Sequence, residues 1–357
     1  MRRIKLVPPP YSSRYTIKRS SLRFLKSLGL TVLVLGLVGG TALSFPFFLA
    51  ETIRFEQTRA LPAIAEPFPV TVDPHHKVIV ENDAVNAFLE GTSSPLQAAA
   101  ANTGNALTMV FNWIATTLSQ TVLYQTIAGA NGQLVELSPG MRKEQVASAF
   151  GNALGWTATQ KQEFLTKRTY SLLPLAEGSF VEGVYVVDRG MSPGAAQALV
   201  NDRFSKEVLA HYGTTTAQYV PLEQALTIAS LIERETGGPD DMRLISGIIW
   251  NRLFTNMNLQ IDATLQYAKA ARTSTGSWWP KVIPADKSIK SAYNTYAHAG
   301  LPPTPIASPS VAAILAALNP KNTSCIFYFH DKQGGFHCSD TYAAHVTALK
   351  KYYGRGK

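Results

Sequence analysis

Acidic residues are missing from the first 50 positions, and cysteine occurs only twice in 357 residues. Two long stretches, 27–50 and 91–135, carry no charged side chain at all. Each scarcity excludes something. Two thiols, Cys325 and Cys338, cannot build the disulfide-dense scaffold that replaces a core in small secreted domains. No segment repeats at a period of roughly 20–50 residues, which sets aside solenoids and propellers. The net charge of +9 is gathered at one end: residues 1–27 hold eight of the 33 basic side chains and none of the 24 acids. Elsewhere 25 basic side chains face 24 acidic ones, so the body is near neutral and a nucleic-acid partner is excluded. With 46% hydrophobic residues the chain is long and apolar enough for one large core or two smaller ones, and global disorder is excluded too.

The uncharged run 27–50 contains LGLTVLVLGLVGGTALSFPFFLA, long enough as a helix to cross a hydrocarbon core of roughly 30 Å. A basic flank before it and Glu51 after it predict a cytoplasmic tail at 1–27, a transmembrane helix at 28–50 and a body outside the cytoplasm. A cleaved signal peptide is the other reading, since Ala42-Leu43-Ser44 resembles a small-x-small site; the length of the run favours the anchor. Gly36 and Gly40 form a GxxxG, weak evidence for helix pairing when it stands alone.

Beyond the anchor, Lys77-Val78-Ile79-Val80 reads as a strand and 83–90 as a short helix capped by Asn82 or Asp83. The stretch 91–135 is helical in period but interrupted by amides. It suits a buried or membrane-adjacent amphipathic helix, then a partner-binding helix, and last a second span, which the amides penalise. From Glu136 onward helices dominate: one opens at 138–145, another at Thr157, a strand or bend spans 180–187, and helices cover 193–211 and 221–235. Cys325 and Cys338 flank an alternating run turned at Gly334-Gly335, a β-hairpin pattern. The two thiols are equally compatible with a disulfide and with buried free cysteines. A metal site with His330 and His337 matches no strong spacing. The class is α+β, helix-rich with a small β component.

The stretch ASLIERETGG, 229–238, carries the candidate chemistry. At about 100° per residue, Leu222, Ala225, Leu226, Ile228, Ala229 and Ile232 share an apolar face, with Glu223, Thr227, Ser230 and Arg234 opposite. Glu233 and Glu235 fall on the two borders, and periodicity does not choose between them. A solvated helix end is the ordinary reading of such charges. A carboxyl partly buried beside apolar side chains would instead be held protonated, as an acid must be near neutral pH.

These residues, with Ser246–Leu253, Met257–Thr264, Tyr293-Asn294-Thr295-Tyr296, Gly300–Ala307 and the hairpin and helix from Phe327 to His345, resemble in order and spacing the YceG-like family, the endolytic murein transglycosylases. The resemblance is specific over 221–353, within a catalytic region of 136–357. It thins upstream, where Glu182-Gly183-Val184 stands in place of the family's Pro-Asp-Thr. Residues 51–135 form an atypical membrane-proximal region where the family has a LysM-like subdomain. The resemblance implies Glu235 as catalytic acid, with Gln260 and Asp262 lining the cleft, Asn294, Tyr293 and Tyr296 as sugar contacts or packing residues, and Glu233 as a helix-end support through Arg234 or Arg252, or simply solvated. It also implies a lytic-transglycosylase-like domain on a single N-terminal anchor, in the bacterial cytoplasmic membrane. That domain would act on peptidoglycan glycan strands, with no metal or cofactor and with cell-wall synthases as family-level partners. A hydrolase on the same scaffold and a non-catalytic cell-wall scaffold are the alternatives.

Overall fold

The computed structural model describes residues 67–91, 132–166, 176–270 and 277–354, together with 51, 53–55, 57 and 58. The expectations placed on 28–50 and on 92–131 lie outside the described residues. Among the described residues no helix is long and apolar enough to cross a membrane.

The described chain is α+β, with its strands in three two-stranded antiparallel sheets. In the first, β1 (Val72–Asp73) pairs with β2 (Val78–Ile79), as the 77–80 pattern predicts. Helix α1 (Asp83–Gly91) follows, its cap supplied by Asn82, whose side chain accepts from the Ala84 N–H at 2.9 Å.

A small lobe is built on the pair β3 (Gln133–Leu137) and β4 (Gly183–Val187), with α2 (Lys143–Leu154), α3 (Ala158–Thr166) and α4 (Pro193–Glu207) around it. Its core holds Val146, Phe150, Trp156, Phe164, Tyr185 and Val200. Phe150 meets Phe164 and Tyr185 at centroid separations of 5.5 and 5.8 Å, and such aromatic packing adds to area burial. Ser192 caps α4 and Pro193 occupies its first turn. The helix expected over 193–211 ends at Glu207, and a 3₁₀ turn, Leu209–His211, completes it.

The larger lobe packs α5 (Thr214–Tyr219), α6 (Leu222–Glu235), α7 (Met242–Phe254), α8 (Asp262–Ala270) and α9 (Val311–Leu318) around a second core. Helix α6 is its axis. The two-faced pattern read for it is corrected here: Thr227 and Ser230, placed on the polar face, are 2% and 0% exposed. Both hydroxyls turn back on their own helix, Thr227 to the Glu223 carbonyl at 2.7 Å and Ser230 to the Thr227 carbonyl at 2.8 Å. Ser230 also accepts from the Ile306 N–H at 3.1 Å, tying α6 to the loop before α9. Gly247 in α7 permits a close crossing, since a Cβ there would lie 2.2 Å from the Lys321 carbonyl oxygen. The lobes are joined by backbone: the Gly140 N–H donates to the Ser308 carbonyl at 2.7 Å, and the Ser308 N–H to the Met141 carbonyl at 2.8 Å.

At the C-terminal end, β5 (Phe327–His330) and β6 (Phe336–Ser339) form the expected hairpin, with Tyr328 opposite Cys338 and His330 opposite Phe336. Helix α10 (Tyr342–Tyr353) packs on it, capped by Thr341. Cys325 and Cys338 are disulfide-bonded, which settles the alternatives left open by their spacing and removes both thiols from any metal site. A loop of this size stabilises by about 3 kcal/mol, or roughly 6–12 °C in Tm for a body of this size. Replacing both cysteines by serine is therefore expected to lower the melting temperature by about that range, measured by calorimetry under oxidising conditions. An unchanged Tm would show that the bond is energetically idle.

Candidate functional site

The last turn of α6 sends its two glutamates to different neighbours. Glu233 is turned toward α9: its carboxylate accepts from the Ser310 N–H at 3.0 Å and the Ser310 hydroxyl at 2.6 Å. It is half-buried, and its charge also acts on the neighbouring Arg234 guanidinium. Ser310 in turn caps α9 by accepting from the Ala313 N–H at 3.1 Å. A second carboxyl, Glu182, lies near the Val311 N–H; burial, with the Glu233 charge beside it, pushes its pKa up to about 6. Anions at a helix N-terminus complement the exposed N–H groups and the macrodipole. The departure from the family pattern at 182–184 thus places a carboxylate on α9, as part of the joint between lobes.

Glu235 points the other way, toward the hairpin. The Tyr328 hydroxyl donates to its Oε2 at 2.8 Å, and the Ala263 N–H at the start of α8 donates to the same carboxyl. Burial pushes the Glu235 pKa up to about 7, and the negative charge of Asp262 adds to the rise. The two donors and the neighbouring His330 hold it from climbing further. Beneath this corner lies Arg252, 6% exposed. Its Nε donates to the Ile326 carbonyl at 2.7 Å and its Nη1 to the Leu259 carbonyl, so it ties the root of the hairpin to the loop before α8.

Asp262 is exposed and opens α8; its Oδ1 accepts from the Tyr296 hydroxyl at 2.6 Å. Gln260 is exposed and held at φ 51°, a left-handed backbone that a non-glycine residue adopts only when its surroundings impose it. Here they do: its N–H donates to the Thr295 carbonyl at 3.0 Å, and the next N–H, of Ile261, to the Thr295 hydroxyl at 3.0 Å.

The residues of the 293–296 block divide. Tyr296 belongs to the Glu235 corner, beside Asp262 and under the Lys287 ammonium, 4.6 Å from its ring. Asn294 is fully buried; it donates to the Lys287 and Ile289 carbonyls at 3.0 and 2.8 Å and accepts from the Tyr296 N–H at 3.0 Å, so it shapes the loop from inside. Tyr293 faces the lobe junction, where its hydroxyl meets that of Thr304 at 2.8 Å and its ring lies 4.8 Å from Tyr267.

Tyr328, Arg252, the Ala263 N–H and the Asp241–His330 pair are additions that periodicity did not single out. His330 Nε2 lies 2.5 Å from Asp241 Oδ2, which also accepts from the Gly237 N–H at 3.0 Å. Gly237 is required at this point, since a Cβ there would lie 2.9 Å from the His330 ring. Strand alternation carries the one usable signal: Tyr328 and His330, two apart, must share a face of β5. His337 pairs with Asp331 at 2.7 Å, and among the described residues no cluster of three metal-ligating side chains occurs.

Another carboxyl, Glu177, is buried at the lobe junction, accepting from the Lys143 N–H at 2.8 Å and the Tyr267 hydroxyl at 3.2 Å. Burial pushes its pKa up to about 7. Glu177, Glu182 and Glu235 all have folded-state values above the usual carboxyl range, so unfolded chains release these protons more readily. Their contribution is present at pH 4 and lost as pH rises through about 6 to 7. The urea midpoint is accordingly expected to fall between pH 5 and pH 8, and to fall less in Glu177→Gln; a midpoint rising over that interval would contradict the burial of these groups.

The sequence matches the YceG-like family over residues 102–351. An endolytic murein transglycosylase of Bacillus subtilis is 35% identical over 133 residues, 37% of this chain and 35% of the relative. One from Streptococcus pneumoniae is 33% identical over 130 residues, 36% of this chain and 23% of the relative. The matched segment thus spans about a quarter to a third of these relatives' length. The crystal structure of a YceG-like protein from Listeria monocytogenes superposes with a TM-score of 0.54 at 22% identity, covering 60% of this chain and 75% of that one, a likeness of fold.

Proposed function

Since this chain belongs to the YceG-like family, we propose that it is a membrane-anchored endolytic lyase of peptidoglycan, cleaving the β-1,4 bond between N-acetylmuramic acid and N-acetylglucosamine within nascent strands. The observation that carries the reading is Glu235: a carboxyl beside the charged groups of an exposed corner, its pKa raised to about 7 by burial, with donors ready for its ionised form.

One such group suffices for the chemistry. Protonated Glu235 gives its proton to the glycosidic oxygen as the bond to C1 breaks. The muramyl 6-hydroxyl closes on C1, its proton passes to the Glu235 carboxylate, and a 1,6-anhydro end forms with no water consumed. In this reading exposed Asp262, its Oδ1 held by Tyr296, faces the charge developing at the sugar ring. In the same reading Gln260, exposed on its constrained turn, holds a sugar hydroxyl. Asp262 also favours a second reading, since a second carboxylate beside the acid is what a hydrolase uses to activate water. The uncharged run at 28–50 supports a single-pass anchor in the cytoplasmic membrane with the catalytic body outside, where nascent strands and their synthases are found.

Digestion of purified peptidoglycan by the full chain, followed by mass analysis, tests this reading. Anhydro-muramyl ends are expected, one water lighter than hydrolytic ends, with the rate falling as pH rises past about 7. Glu235→Gln is expected to lower the rate by about 10²–10⁴-fold, while Glu233→Gln, which retains an acceptor for Ser310, keeps most of it. Hydrated ends would select the hydrolase, and the opposite ranking of the two variants would overturn the assignment of Glu235.

A further inference from the structure

The only side-chain hydroxyl on the Glu235 carboxyl comes, among the described residues, from Tyr328, which lies 93 positions away in the sequence. Its ring is fixed independently of that contact. It packs against the large core and stacks on Phe336 with 5.8 Å between centroids, in a hairpin closed by Cys325–Cys338. The direction of the hydroxyl follows from electrostatics. The carboxylate oxygen offers only lone pairs, so the phenol hydrogen is turned onto Glu235, and the Arg252 charge nearby favours the phenol oxygen's electron density.

We propose that Tyr328 is the positioning residue of this site: its hydroxyl occupies Oε2 of Glu235, so the transferable proton sits on Oε1 and the carboxylate left behind keeps a donor. Tyr328 transfers no proton itself; it keeps its hydrogen throughout the cycle in which Glu235 gives one proton to the leaving oxygen and regains one from the attacking hydroxyl. Burial and the neighbouring carboxylate both hold the phenol well above its ordinary range, so it stays protonated wherever Glu235 titrates. The other groups acting on Glu235 are Asp262, His330, Arg252, Arg234 and Tyr296, and none of these forms a side-chain hydrogen bond to it among the described contacts. The proposal rests on the reading of Glu235 as the acid, and the test separates the two.

Tyr328→Phe keeps the ring and removes the donor. In the full chain, kcat on purified peptidoglycan is expected to fall about tenfold to a hundredfold with KM little changed, and the alkaline limb of the rate profile to move up by about one pH unit. A rise in KM alone, or an unmoved limb, would overturn the role. An arm without activity uses the unfolding equilibrium of wild type, Tyr328→Phe, Glu235→Gln and the double variant at pH 5 and pH 9. Loss of the hydroxyl is expected to favour unfolding about tenfold more at pH 9 than at pH 5, and this difference should vanish in the Glu235→Gln background. An equal effect at both pH values, or a pH difference that persists in the Glu235→Gln background, would overturn the proposal even where the lyase reading holds. Failure of the wild type to release anhydro ends would overturn the lyase reading and leave the result of this arm standing.

Discussion

Helix α6 has no wholly solvated face. Its apolar side is the axis of the larger core, and the side that carries Thr227 and Ser230 is covered as well. A charge at the end of such a helix cannot simply be given to water. Each glutamate of the last turn needs protein donors, and those donors come from segments far apart in the chain: Ser310 for Glu233, Tyr328 and the Ala263 N–H for Glu235. Removing a partner from a buried charged group leaves a desolvation penalty behind, so these contacts fix where the α9 terminus and the hairpin sit.

The two glutamates differ chemically because their surroundings differ. Glu233 shares the N-terminal turn of α9 with Glu182, among N–H donors that suit a carboxylate. Glu235 has two donors, but its desolvation and the Asp262 charge nearby outweigh them, and the balance leaves it titrating at about 7. One serves the joint between lobes; the other is left as a carboxyl that titrates near neutral pH. Gln260 and Asp262 are brought to the same corner by Thr295 and Tyr296, which fold the 293–296 block against the start of α8. Asn294, at the centre of that block, is the bolt that holds its shape.

Local patterns made much of the fold legible. The hairpin, α1 with its Asn82 cap, and helix α6 all follow from apolar period, turn residues and capping chemistry. The polar face of α6 was not legible, because nothing in 222–235 announces that α9 and the 306 loop will cover Thr227 and Ser230. At the site, resemblance separated Glu235 from Glu233 where angle on a helical wheel could not. The partners that give each its chemistry, Tyr328 and Ser310, lie 93 and 77 positions away, and single-sequence periodicity carries no such long-range register. Likewise Asn294 and Tyr296 are only two residues apart, yet one is wholly inside and the other reaches the Asp262 carboxylate beside Glu235.

The account depends on Glu235 being a neutral acid near neutral pH because of where the chain places it. A carbon-detected NMR titration of side-chain carboxyls in the full chain, with the Glu235 resonance identified by its loss in Glu235→Gln, measures this directly. A carboxyl titrating near pH 7 is the predicted result. Titration near the ordinary glutamate value of about 4.3 would contradict the account at its centre.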